Sequence, residues 1–72
     1  MKRVTRDTTI GEISDWLKEH DVCLSVSRGK RGQWLVVLLG PRGAMRARGF
    51  SNDSWADAVD RAVLNYQVGV KP

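Results

Sequence analysis

The feature that most constrains the fold is the run Trp34-Leu35-Val36-Val37-Leu38-Leu39, six apolar residues between two glycine-bounded basic stretches, Gly29-Lys30-Arg31-Gly32 and Gly40-Pro41-Arg42-Gly43. Six residues are too few for a membrane span and suit a strand buried on both faces, with a turn at each end. On its N-terminal side, Val22, Leu24 and Val26 alternate with Cys23, Ser25 and Ser27, the period of a strand with one buried face. On its C-terminal side, residues 44 to 50 read as a third strand. Two short connections make the three strands an antiparallel meander.

Helical patterns flank this centre. Thr9-Ile10-Gly11-Glu12 has the form of a capping box, and Ile10, Ile13, Trp16 and Leu17 follow on one stripe, ending near His20. Ser51 or Asn52 is expected to cap a second helix that carries Trp55, Val59, Ala62, Val63 and Tyr66 on one side. The expected fold is therefore a single α+β domain of order α-β-β-β-α over residues 9–67, with both helices on one face of the sheet. Residues 1–8 form an arm and 68–72 a tail. A chain of 72 residues has room for one modest core.

Hairpin geometry then decides what lies on the other face. Pairing Gly29 with Gly32 would place Val26 opposite Leu35, Leu24 opposite Val37 and Val22 opposite Leu39, all toward the helices. A two-residue second loop would drive Arg46 and Arg48 into the core, where unpaired guanidinium groups are too costly. A three-residue loop, with Pro41 and Arg42 in a type I turn and Gly43 left-handed, avoids this and sets Leu39 against Met45, Val37 against Ala47 and Leu35 against Gly49. The open face then carries Trp34, Val36 and Leu38 along its centre, with Phe50, Arg48 and Arg46 beside them. The alternative is that the arm, residues 1–8, or the tail folds over this face and buries Trp34.

Charge singles out the same region. Residues 22–52 hold Arg28, Lys30, Arg31, Arg42, Arg46 and Arg48 with no acid, whereas residues 1–21 carry four basic and five acidic groups, and 53–72 two and three. Each flank is thus −1 and the middle +6, summing to the net +4. One-signed segments attract anionic surfaces, and Trp and Arg are enriched where partners bind most strongly. The expected partner-binding residues are Trp34, Val36, Leu38, Arg46, Arg48, Phe50, Arg28, Lys30, Arg31 and Arg42.

Nothing in the chain announces chemistry, and the expectation is a protein that is not an enzyme, with no cofactor and no metal. His20, the single histidine, falls at a helix end where its polarity is favoured anyway, and no third residue orients it with Cys23. Asp53, Asp57 and Asp60 share a helix side that a solvated face explains. The glycine stretches join strand to strand and open no helix, so they do not cradle phosphate. One cysteine and no leader pattern fit a reducing, cytoplasmic setting without a membrane.

Two partner classes remain. Arginines beside stacked aromatics suit single-stranded nucleic acid, and the order α-β-β-β-α over residues 9–67 resembles the double-stranded RNA-binding fold. That family's second helix opens with lysines where this one has Ser51-Asn52-Asp53-Ser54, so no RNA-contact residue is carried over. The segment Gly49-Phe50-Ser51-Asn52-Asp53-Ser54-Trp55-Ala56-Asp57-Ala58-Val59, with Ala62 and Tyr66, is similar to the strand-into-helix segment of HicB-type antitoxins and of short prophage open reading frames. The resemblance implies a small phage-type protein that docks on a host protein or nucleoprotein complex in the host cytoplasm and occludes it, as anti-CRISPR proteins do. The basic face would meet an acidic groove or a second copy of the chain.

Overall fold

The computed structural model describes residues 3–69. Its elements run α1 (Ile10–His20), β1 (Cys23–Arg28), β2 (Trp34–Leu39), a 3-10 turn (Pro41–Gly43), β3 (Met45–Ser51) and α2 (Trp55–Val68), and the sheet order is β1-β2-β3, antiparallel throughout. The α+β meander with two helices is the expected fold. Ile13 and Trp16 of α1 join Val59, Ala62 and Val63 of α2 in one core with Val36, Leu38 and Ala47, so the helices share a face of the sheet.

Both helices begin where a hydroxyl can satisfy an orphan amide. Thr9 Oγ1 accepts from the Glu12 amide at 3.1 Å, and Ser54 Oγ accepts from the Asp57 amide at 3.1 Å. The second cap is Ser54 and not Ser51 or Asn52. Ser51 is fully buried at the end of β3, where its hydroxyl accepts from the Asp53 amide and donates to Asp57 Oδ2 at 2.7 Å. Asp21 and Gly69 end the helices in the left-handed conformation. Ile10 departs from its expected stripe and is 82% exposed.

The register corrects the expected face. Gly29 pairs with Gln33, not Gly32: the Gly29 amide donates to the Gln33 carbonyl at 2.9 Å, and Gly32 takes φ 80° inside a three-residue loop. That geometry is the bulged hairpin expected at the second turn, and it moves β2 by one residue. Val26 therefore lies opposite Val36 and Leu24 opposite Leu38. Because side chains alternate, a one-residue slip exchanges the faces of the whole strand. Val36 and Leu38 have no exposure and Trp34 packs against the core, while Leu35, Val37 and Leu39 take the open face.

From Ala47 onward the third strand keeps its expected sides because a second irregularity compensates, whereas Met45, expected inside against Leu39, is 46% exposed. Leu39 pairs with Met45 across the expected three-residue loop, but Leu38 pairs with Ala47, leaving Arg46 as the extra residue of a β-bulge. Val36 then meets Gly49 and Val37 meets Arg48. Ala47, Gly49 and Ser51 face the helices, and Arg48 and Phe50 face away. The turn itself differs from type I: Pro41 holds φ negative, whereas Arg42 is left-handed at φ 66°, as in type II, with Gly43 left-handed after it.

Of the arm assigned to residues 1–8, residues 1–2 lie outside the described residues, and the described part packs against α2. Val4 is part of the core, and its amide donates to Asp60 Oδ1 of α2 at 2.8 Å. Of the tail assigned to residues 68–72, residues 70–72 lie outside the described residues.

Candidate functional site

The outer face of the sheet is a short ladder of rows. Ser27, Leu35 and Phe50 make one, and Ser25, Val37 and Arg48 the next. Beyond them Cys23 pairs with Leu39, and Leu39 with Met45. Leu35, Val37 and Leu39 are half-buried, whereas Phe50 and Met45 are each 46% exposed. The result is an apolar strip along β2 continued by Phe50, with serines on one side and Arg48 on the other.

Gly49 determines how the β3 border of this face is built. A Cβ at Gly49 would stand 2.1 Å from the Ala58 carbonyl oxygen and 2.4 Å from the Ala62 amide nitrogen, so only glycine lets α2 lie this close to β3. The close approach brings two α2 side chains over the edge of the strand. Arg61 Nη1 donates to the Phe50 carbonyl at 2.7 Å, and Asn65 Nδ2 donates to the Arg48 carbonyl at 2.8 Å. Four helical residues rise about 6 Å and two strand residues about 6.8 Å, so an i,i+4 pair matches alternate carbonyls. Leu35, Arg48, Gly49, Phe50, Arg61 and Asn65 line an open cleft of about 460 Å³ there. Arg61 also pairs with Asp57 at 3.3 Å.

The basic residues do not form one patch. Lys30 and Arg31 project at the β1–β2 turn and Arg42 at the β2–β3 turn, at opposite ends of a six-residue strand about 20 Å long. Arg28 lies on the helix side opposite Trp34, with its guanidinium 4.4 Å from the indole centroid and Nη2 donating to the Gly32 carbonyl at 2.9 Å. It screens Trp34 from water. Arg46 lays its stem over Gly40, where an added Cβ would come 2.4 Å from Nε. Of the ten expected residues, Arg48 and Phe50 meet on the outer face, Trp34, Val36 and Leu38 are placed on the core side, and the other five are dispersed. Trp34 and Phe50 are therefore not a stacking pair.

Two of the three α2-side carboxylates, Asp57 and Asp60, have structural partners. Asp60 is 4% exposed and accepts from Arg3 Nε at 2.8 Å and from the Val4 amide. The hydrogen bonds from Arg3 hold its carboxyl below the usual range against the opposing effect of burial, and the Val4 amide adds to them. Arg3 is held more strongly protonated by the same pair. Asp57 is engaged by Ser51 and Arg61. Among the described residues, no group of three or more His, Cys, Asp or Glu side chains is placed to hold a metal ion.

His20 belongs to an aromatic cluster. It stacks on Trp16 at 4.3 Å and meets Tyr66 edge-on at 5.7 Å, and its Nδ1 is 2.9 Å from the Trp16 carbonyl, to which it donates. Cys23 is a free, exposed thiol. Among the described residues no helix is long and apolar enough to cross a membrane.

Sequence reasoning missed Leu35, Val37, Leu39, Arg61 and Asn65. The i,i+4 spacing of Arg61 and Asn65 was visible, but its meaning depends on which strand forms the edge beside α2. No protein-family model, curated protein or solved structure matches the chain.

Proposed function

We infer that this protein is a non-catalytic binding module that docks an acidic protein surface through the outer face of its sheet, in the manner of a small inhibitor that occludes a larger assembly. The observation that carries this reading is the composition of the corrected face: Leu35, Val37, Leu39 and Phe50 form an apolar strip bordered by Arg48, with the Arg61-walled cleft at its end. An apolar strip with a polar rim is how contact surfaces are built, and the adjacent guanidinium groups favour a carboxylate-bearing partner. The phage-type role implied by the Gly49–Val59 segment is consistent with such a module.

Nucleic-acid binding is the weaker reading, because Trp34 is on the core side and the basic turns are at opposite ends. Titration of labelled single-stranded oligonucleotide at low salt separates the two. Absence of binding agrees with protein docking. Binding that falls steeply with salt, with a slope reduced in Arg46→Ala/Arg48→Ala, overturns it.

A further inference from the structure

The two edges of the sheet are treated differently. The β3 edge is capped by Arg61 and Asn65. The β1 edge, Cys23–Arg28, has five of its six residues exposed, and no side chain among the described residues bonds to its backbone. Since the Gly29 amide donates to the Gln33 carbonyl, alternation turns the backbone groups of Ser27 and Ser25 toward β2 and those of Leu24, Val26 and Arg28 away from it. An open, proline-free edge of this length is a template for another strand. Val26 is 44% exposed beside it.

We propose that the β1 edge pairs with the β1 edge of a second copy of the chain, antiparallel about a two-fold axis at Val26, to make a continuous six-stranded sheet. Charge and register identify the occupant. Centring on Val26 opposes Val26 to Val26 of the other copy and Leu24 to Arg28, so the two Arg28 side chains do not meet. Ser25 falls opposite Ser27, a pair able to exchange hydrogen bonds across strands. Beyond the paired strands, this register brings the β1–β2 turn of one copy toward the α1–β1 connection of the other, which holds Asp21. The basic turn with Lys30 and Arg31 thus lies toward the end of α1, where the exposed carboxylates Glu19 and Asp21 outnumber the one exposed lysine, Lys18. This complementarity recurs twice by symmetry. The pairing is independent of the docking role of the outer face, although it would set two such faces side by side.

The test is the mass in solution of the full chain across a concentration series, by sedimentation, with circular dichroism as the folding control. The proposal expects a dimer. Val26→Lys should weaken it at least tenfold, and so should Val26→Pro, since proline is tolerated where an edge amide faces solvent. In a Cys23→Ser background, Val26→Cys should form a disulfide-linked dimer on mild oxidation, because directly opposed residues on paired strands are within disulfide reach. A monomer at every concentration overturns the proposal. So does a dimer that survives both Val26 variants, or one dissolved by Leu35→Glu and untouched by Val26→Lys, which would mean that copies meet through the outer face.

Discussion

Gly49 lies so close to Ala62 that a methyl group on Gly49 would stand 2.4 Å from the Ala62 amide nitrogen. The relationship sets the distance between β3 and α2, and through it the reach of Arg61 and Asn65 over the strand edge. Gly49→Ala forces backbone against backbone, with no flexible side chain to give way. Overpacking of this kind costs about 1–3 kcal/mol. Chemical denaturation should show that loss, and the exchange protection of α2 amides should fall with it.

Asp60 gives the chain an acid-sensitive clasp between its first described residues and α2. Its folded-state pKa is depressed, chiefly by the hydrogen bonds from Arg3. The stabilisation is therefore fully present above the unfolded carboxylate value of about 3.9 and is lost as pH falls through the folded value. Urea midpoints measured from pH 7 downward should drop in that window. In Asp60→Asn the midpoint at pH 7 should be lower and this part of the acid dependence absent.

The register of β2 makes opposite forecasts for neighbouring residues. Leu38 has no exposure, so Leu38→Ala should cost about 2–5 kcal/mol. Leu35 is half-buried on the outer face, and Leu35→Ala should cost well under half as much. In NMR spectra Val26 and Val36 form a non-hydrogen-bonded pair and should show a close Hα–Hα contact. The reverse order of mutational costs, or a contact from Val26 to Leu35, would restore the other register.

Removing both edge caps should change association more than folding. In Arg61→Ala/Asn65→Ala the carbonyls of Phe50 and Arg48 lose their donors and β3 becomes a second open edge. Light scattering should show concentration-dependent growth beyond the size of the parent protein, with helix content kept.

The sequence carries the fold but not its sidedness, and the reason lies in β2. Alternation in residues 22–27 and the helix stripes identify the elements, since each has one face that must be buried. Trp34–Leu39 is apolar on both faces, so burial does not select between Val36 with Leu38 and Leu35 with Val37. Backbone geometry at Gly29–Gln33 selects, through a loop one residue longer than the expected one. The Arg46 bulge then returns Ala47 to Phe50 to their expected sides, so Arg48 and Phe50 fall on the open face as expected while Trp34, Val36, Leu38 and Met45 change sides. Arg28 was legible as a charge, but not as the cover of an indole. Asp60 read as a solvated carboxylate because its donors come from residues more than fifty positions away.

The most direct measurement of the docking claim uses a photo-crosslinking amino acid at Phe50, with the same group at Glu12 on exposed α1 as control, in nuclease-treated cell extract. The account predicts a discrete protein adduct from position 50 that is absent from position 12 and is lost when Leu35→Glu or Arg48→Glu is added, with the fold intact by circular dichroism. Equal adducts from both positions, or an adduct at position 50 indifferent to Leu35 and Arg48, would contradict it.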